Sequence, residues 1–200
     1  MYKTIKEVDK FANKTTIKMN KEYRLSRSVG NLGGHGAKLQ IRYVSIPETE
    51  KIIIDYHYNN SYDYLYLDNG KLIIRLNDSE NISLDFICKG KRERSVYEDN
   101  NGNVDYEYYE DNYVEIDKET LRKICDAESV EIQVSGGNTK EYSTDKANGF
   151  IDYCRTFYNE LYNETAYELT HKDNNTSQNK KIAIIVLIVI IVAIIILTNL

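Results

Sequence analysis

Hydrophobic and polar positions alternate with a period of two over much of residues 39–143, and that period predicts β-strands. Leu39, Ile41, Tyr43 and Ser45 alternate with Gln40, Arg42 and Val44, and apolar segments at 52–58 and 62–67 follow after short polar gaps. Asp68-Asn69-Gly70 reads as a hairpin turn joining 62–67 to 71–76, because Asn-Gly tolerates positive φ at both turn positions. A further turn over 77–81 leads into 82–88, and Asp99 to Asn103 separates strands at 95–98 and 104–109. Beyond that point the period lengthens. Asp117 is placed to cap a helix running through Leu121, Ile124 and Cys125, with Glu119 in its favourable first turn. A strand over 130–135, a Gly136-Gly137 turn and a return strand over 139–143 precede a second helix, in which Phe150, Ile151, Cys154, Phe157 and Leu161 form one apolar face. Near the start, Ile5, Val8 and Phe11 recur every three residues and predict a short amphipathic helix or an initial strand. The expected fold is α+β: an antiparallel β-meander sheet with two C-terminal helices packed on one face, followed by a single C-terminal transmembrane helix.

That last element is the run IAIIVLIVIIVAIIIL, within Ile182 to Leu200 and preceded by Lys180 and Lys181. At ~1.5 Å of rise per residue its purely apolar part makes a helix of about 24 Å, and Thr198 to Leu200 bring it to about 28 Å, close to the hydrocarbon thickness of a bilayer. A soluble core helix would need a polar face, which this run lacks. Within lipid a single segment satisfies its own backbone groups only as a helix. The first twenty residues are broken by Lys, Asp or Glu every few positions and do not read as an export signal, and neither a myristoylation nor a prenylation motif is present. The expectation is therefore a tail anchor with Lys180 and Lys181 on the cytoplasmic side, together with the preceding domain. The run has no ionisable residue and no small-xxx-small pair, so it reads as an anchor without ion path or dimerisation face. The organisation expected is a basic N-terminal arm and Gly-rich loop over 1–38, an α+β domain over 39–169, a polar tether over 170–181 and the transmembrane helix over 182–200.

Charge changes this picture at one point. The net charge of −5 conceals a gradient: Lys3, Lys6, Lys10, Lys14, Lys18, Lys21, Arg24, Arg27, Lys38 and Arg42 dominate the start, whereas residues 98–119 are heavily acidic. A basic segment near an anionic leaflet gains about 1 kcal/mol per residue at the surface. The reading preferred for these residues is a solvated arm, with lipid head groups as the alternative partner. No helix-turn-helix or RNA-binding pattern accompanies the cations, so no nucleic-acid partner is expected. Eighteen tyrosines with no tryptophan and one proline, in a chain rich in Ile, Lys and Asn, fit the codon bias of an AT-rich genome. Cys88, Cys125 and Cys154 are odd in number, far apart and without ligand spacing, which fits buried thiols in a reducing compartment.

Candidate chemistry is sparse. Residues 29–38 are Gly-rich, but Ala37 separates Gly36 from Lys38 and Leu39 follows, so the phosphate-loop pattern is broken. Around Gly102 an EF-hand register would require Tyr97 and Tyr108 as ligands, which excludes calcium of that type. Asp55 and His57 share one strand face and could form a metal site or an acid–base pair, but no third ligand is visible, so a half-buried strand edge is the preferred reading. Glu107 and Glu110 lie in an acidic stretch and read as solvated. His35, His57 and His171 fall in no protease or hydrolase motif. No catalytic, cofactor-binding or metal-binding residue is assigned, and no cofactor is expected.

The order Leu72-Ile73-Ile74-Arg75-Leu76, Ile82-Ser83-Leu84, Tyr113-Val114-Glu115-Ile116-Asp117 with Leu121-Arg122-Lys123-Ile124, and Val130-Glu131-Ile132-Gln133-Val134 resembles a recurrent bacterial α+β domain without assigned activity, over about 65–161. The resemblance implies an antiparallel sheet with helices on one face in a prokaryotic setting. The functional expectation is a single-pass, tail-anchored membrane protein, with the bilayer as partner through Ile182 to Leu200, whose cytoplasm-facing domain is a non-catalytic interaction module. The alternatives are an enzyme whose site assembles only in the fold and an anionic-lipid surface-binding module.

Overall fold

The computed structural model describes residues 1–25, 36–60, 63–87, 91–137, 141–144 and 147–162. The fold is α+β, mostly antiparallel sheet with two helices. Among the described residues the larger sheet has seven strands: β1 (Thr4–Asp9), β2 (Lys14–Met19), β3 (Tyr23–Leu25), β4 (Ala37–Ile46), β5 (Thr49–Asn60), β8 (Lys91–Glu98) and β9 (Val104–Ile116). Their order is β1-β2-β4-β5-β9-β8, with β3 pairing beside β2 on β4. The smaller sheet runs β11-β10-β6-β7, from β6 (Lys71–Leu76), β7 (Glu80–Asp85), β10 (Val130–Ser135) and β11 (Glu141–Thr144). The helices are α1 (Lys118–Asp126) and α2 (Asn148–Tyr162).

Alternation builds the core. Ile41 faces Ile54, which faces Val114, and Ile82 faces Ile74, which faces Ile132; of these only Ile82 is not buried. Phe150, Ile151, Cys154 and Phe157 of α2 are buried as their spacing predicts, and Tyr153 and Tyr158 are buried with them. The α2 helix contacts β10 and β2, and α1 packs against α2. Asp117 caps α1 by accepting the Thr120 amide at 2.7 Å. At the other end of α1, Arg155 of α2 donates to the carbonyls of Cys125 at 2.6 Å and Ala127 at 3.3 Å, covering C-terminal carbonyls that the helix leaves unpaired.

Three sequence expectations change. One continuous meander is replaced by two sheets, because β5 pairs with β4 and β9 but not with the following strand β6, and β6 pairs with β7 and β10. The expected hairpin at Asp68-Asn69-Gly70 does not form. Residues 63–66 are not a strand, Leu67–Asn69 is a 3-10 turn, and Gly70 has φ −96°, ordinary for any residue. Positive φ appears instead at Asn77 and Asp78, which turn β6 into β7. Finally, residues 4–25, read from sequence within a basic arm ahead of the domain, form three strands of the larger sheet. They are held there by aromatic contacts: Tyr2 lies edge-on to Tyr153 at 4.9 Å, Tyr23 packs on Phe150 at 5.3 Å, and the Tyr153 hydroxyl donates to the Lys21 carbonyl at 2.9 Å. Lysine-rich sequence concealed this attachment.

Among the described residues no helix is long and apolar enough to cross a membrane. The run Ile182 to Leu200 and the tether over 170–181 lie outside the described residues.

Candidate functional site

Strand β5 turns Ile54, Tyr56 and Tyr58 inward, which places Asp55 and His57 together on the opposite face, as the alternation predicts. The two do not form a pair. Asp55 is engaged by Arg42 of β4 in a two-pronged ion pair, Nε to Oδ2 at 2.6 Å and Nη2 to Oδ1 at 3.0 Å. Its neighbour His57 turns to β9, with Nδ1 2.8 Å from Asp111 Oδ1, and Nε2 lies 3.7 Å from Glu22 Oε1. Glu22 is also held by Lys38 at 2.9 Å. A cleft of about 350 Å³ opens beside this group, lined among others by Arg24, Lys38, His57, Asn59, Tyr109 and Asp111. Asp55 does not line it. Asp111, one residue from Glu110, is thus the partner of His57 in place of Asp55, and no third group joins Asp55 and His57 into one site among the described residues.

The hydrogen bond to Asp111 raises the His57 pKa above its ordinary 6.5; burial opposes this, and the charges of Asp111, Glu22 and Asp55 add to the rise. Lys38, held by Glu22, stands directly opposite His57 on β4, with Arg42 further along that strand on Asp55. The sign of the consequence is fixed: stabilisation by protonated His57 is fully present below pH 6.5 and is lost as pH rises through the raised value. Asp111→Asn should therefore destabilise the domain most below pH 6.5, by at most about 1 kcal/mol at so solvent-screened a pair, and the deficit should shrink as pH rises through the raised His57 value. Urea unfolding of both proteins across that range measures it; a deficit that grows with pH would be incompatible with this pairing.

A histidine oriented by a carboxylate can exchange protons, but the thiols give it no nucleophile. Burial pushes the Cys125 thiol up to about 12 and Cys154 well above its ordinary value. Cys88, His35, His171 and most of the Gly-rich loop lie outside the described residues. Among the described residues, no group of three or more His, Cys, Asp or Glu is arranged to hold a metal ion.

The second polar centre was missed from sequence. Glu110 reads as solvated there, yet it is fully buried. Its Oε2 accepts the amides of Leu65 at 2.8 Å and Tyr66 at 2.9 Å, and its Oε1 accepts the amide of Leu67 at 2.7 Å and Arg92 Nε at 3.1 Å. Arg92 also binds Asp68 and lies over the Tyr66 ring at 5.1 Å. The period of β9 carried the signal: Glu110 stands two and four residues before Asn112 and Val114 on the inward face. Glu107, on the other face, accepts Asn59 Nδ2 at 2.8 Å and the Tyr109 hydroxyl.

Two hairpins complete the polar surface. In β8–β9, Val96 stands opposite Tyr106 and Glu98 opposite Val104; Val96, Tyr97, Val104 and Tyr106 are exposed, and Arg94 lies over Tyr106 at 5.2 Å. The Asp99 carboxylate is committed to its own turn, accepting the amides of Asn101 and Asn103 and the side chain of Asn103, which hold its pKa below the usual range. At the opposite edge of the sheet, the β1–β2 turn is built on Asp9, whose carboxylate accepts the amides of Phe11 at 3.0 Å and Ala12 at 3.1 Å. Phe11 is fully exposed. Comparison with known proteins returns no match to any family profile, curated protein or solved structure, so the resemblance noted over 65–161 rests on its hydrophobic order alone.

Proposed function

We propose that this chain is a single-pass membrane protein, anchored through Ile182 to Leu200, whose α+β domain faces the cytoplasm and serves as a non-catalytic interaction module. The observation that carries the reading is the uninterrupted apolar run after Lys180 and Lys181. The surface of the domain is compatible with the second half: one face of the β8–β9 hairpin exposes Val96, Val104 and Tyr106 beside Glu98, and the other exposes Tyr97 opposite Asp105, apolar side chains rimmed by carboxylates. An enzyme is the alternative, and the cleft beside His57 and Asp111 is the observation that favours it.

Alkaline extraction of membranes carrying the full chain tests the anchor. The chain should stay in the pellet, and Ile188→Arg combined with Ile191→Arg should release it, each charge costing about 3 kcal/mol near the middle of a spanning helix. Recovery of the unsubstituted chain in the supernatant would rule the anchor out. Proximity labelling separates the module from the enzyme: Val96→Asp with Tyr106→Ala should remove protein neighbours that His57→Asn leaves in place.

A further inference from the structure

We infer that the β1–β2 hairpin is a second membrane contact, seating Phe11 and its flanking lysines on an anionic lipid surface and holding the acidic β8–β9 hairpin away from it. The inference rests on the anchored reading above and adds the lipid class and the orientation.

Phe11 is not a loose terminus. Asp9 ties the amides of residues 11 and 12, and Asn13 completes the turn in the left-handed region at φ 49°. The turn therefore presents an aromatic ring that touches little, with Val8 and Ile5 also exposed along β1. Lys10 and Lys14 flank the turn and Lys6 stands further along β1, with Lys3, Lys18 and Lys21 at the open end of the hairpin and Glu7 and Asp9 the carboxylates between them. Lys18 is paired with Glu7 at 2.7 Å, whereas Lys6, Lys10 and Lys14 have no ion pair among the described residues. An apolar tip ringed by unpaired ammonium groups matches the interface of an anionic bilayer, where the ring enters the head-group boundary and the cations meet phosphate and carboxylate. Three lysines near such a surface raise its occupancy by roughly a hundredfold.

The tip of the β8–β9 hairpin carries the opposite charge, although the base of β8 holds Lys91, Arg92 and Arg94. Residues 95–107 contain Glu98, Asp99, Asp105 and Glu107 and no Lys or Arg. The strand order puts β1 and β8 at the two ends of the sheet, five interstrand gaps or about 24 Å apart. That exceeds a physiological Debye length of about 8 Å, so an anionic leaflet feels the two edges separately. It attracts the β1–β2 tip and repels the acidic β8–β9 tip.

The exit of the chain agrees. Near the end of α2, Glu160 accepts the Thr4 amide at 2.9 Å and also the Thr4 hydroxyl, so the chain leaves the described domain at Tyr162 beside the start of β1. From Thr4 to Phe11 the hairpin extends about 24 Å. The sequence from 163 to 181 reaches at most about 65 Å, enough for the anchor and the hairpin tip to meet the same bilayer.

The chain has no tryptophan, so one introduced residue is a sole reporter. Full-length chain carrying Phe11→Trp is reconstituted into phosphatidylcholine vesicles with and without about 30% phosphatidylserine. With the anionic lipid, its emission should shift to the blue and brominated acyl chains should quench it at least about threefold more strongly than in phosphatidylcholine alone; about 0.5 M salt, or Lys6→Glu, Lys10→Glu and Lys14→Glu together, should abolish the difference. Val96→Trp should stay open to aqueous iodide in both. Unchanged circular dichroism confirms that these exposed substitutions leave the fold intact. Equal aqueous quenching of the Phe11→Trp reporter in both vesicles overturns the proposal. So does a concentration-dependent blue shift without bromolipid quenching, which places Phe11 against a second copy. Alkaline extraction keeps the two readings apart: chain that floats with anionic vesicles, quenched by bromolipid but released by alkali, retains the hairpin contact and loses the anchor.

Discussion

Glu110→Ala should lower the stability of the domain by about 4 kcal/mol, read as a shift in the urea midpoint of the full chain in micelles. The substitution leaves the amides of Leu65, Tyr66 and Leu67 without their acceptor and Arg92 without its buried partner. Each orphaned buried donor costs about 1–3 kcal/mol, and breaking a buried charge pair costs about 3–5 kcal/mol. These are not additive, since water entering the space compensates part of the loss. Glu110→Gln keeps one oxygen and should lose about half as much. Arg92→Met should cost less, about 2 kcal/mol, because the Glu110 carboxylate it leaves buried without a cation keeps its three amide bonds and water can enter where the Arg92 side chain is 30% exposed. Hydrogen exchange should localise the damage to amides 65–67. A Glu110→Ala midpoint within about 0.5 kcal/mol of the original would show that the carboxylate does not hold this segment.

Gly70→Ala is the second large effect, about 3 kcal/mol, and its cause is close approach rather than φ. A Cβ at Gly70 would enter the van der Waals envelope of the Ser135 carbonyl oxygen and stand 3.3 Å from the Leu67 carbonyl oxygen. Both obstacles are backbone, so β6 and β10 must separate where Lys71 pairs with Ser135. Gly102 provides the contrast. It sits at φ +79° with only the Glu98 side chain near, at 4.0 Å, so Gly102→Ala is strained but unobstructed and should cost about 1 kcal/mol. Thermal unfolding of the two variants tests the order; a larger loss at Gly102 would overturn it.

These two residues show what the sequence made legible and what it hid. The strand over 130–135, the Asp117 cap and the apolar face of α2 are local properties, set by alternation, capping chemistry and helical period, and each is found where expected. Pairing is not local. Asp68-Asn69-Gly70 has the composition of a hairpin turn, but Glu110, some forty residues later, takes the amides that a strand would have offered to a neighbour. The glycine then serves the approach of β10. In the same way, Asp55 and His57 share a face as the alternation requires, while the choice of Arg42 and Asp111 as partners depends on which strands flank β5. The lysine-rich start conveys charge and conceals Tyr2 and Tyr23, whose rings bind it to α2.

The bond from Thr4 to Glu160 joins residues 156 positions apart. A contact so remote in sequence carries the full entropy of closing nearly the whole domain into one loop, so it forms late. During synthesis β1 and β2 can make their hairpin early, but Tyr2 and Tyr23 have nothing to pack on until α2 has emerged. The strands of the larger sheet all lie within residues 4–116, so what waits for residues 148–162 is this aromatic packing against α2. For a growing chain, this leaves Tyr2 and Tyr23 without these ring partners until α2 has formed.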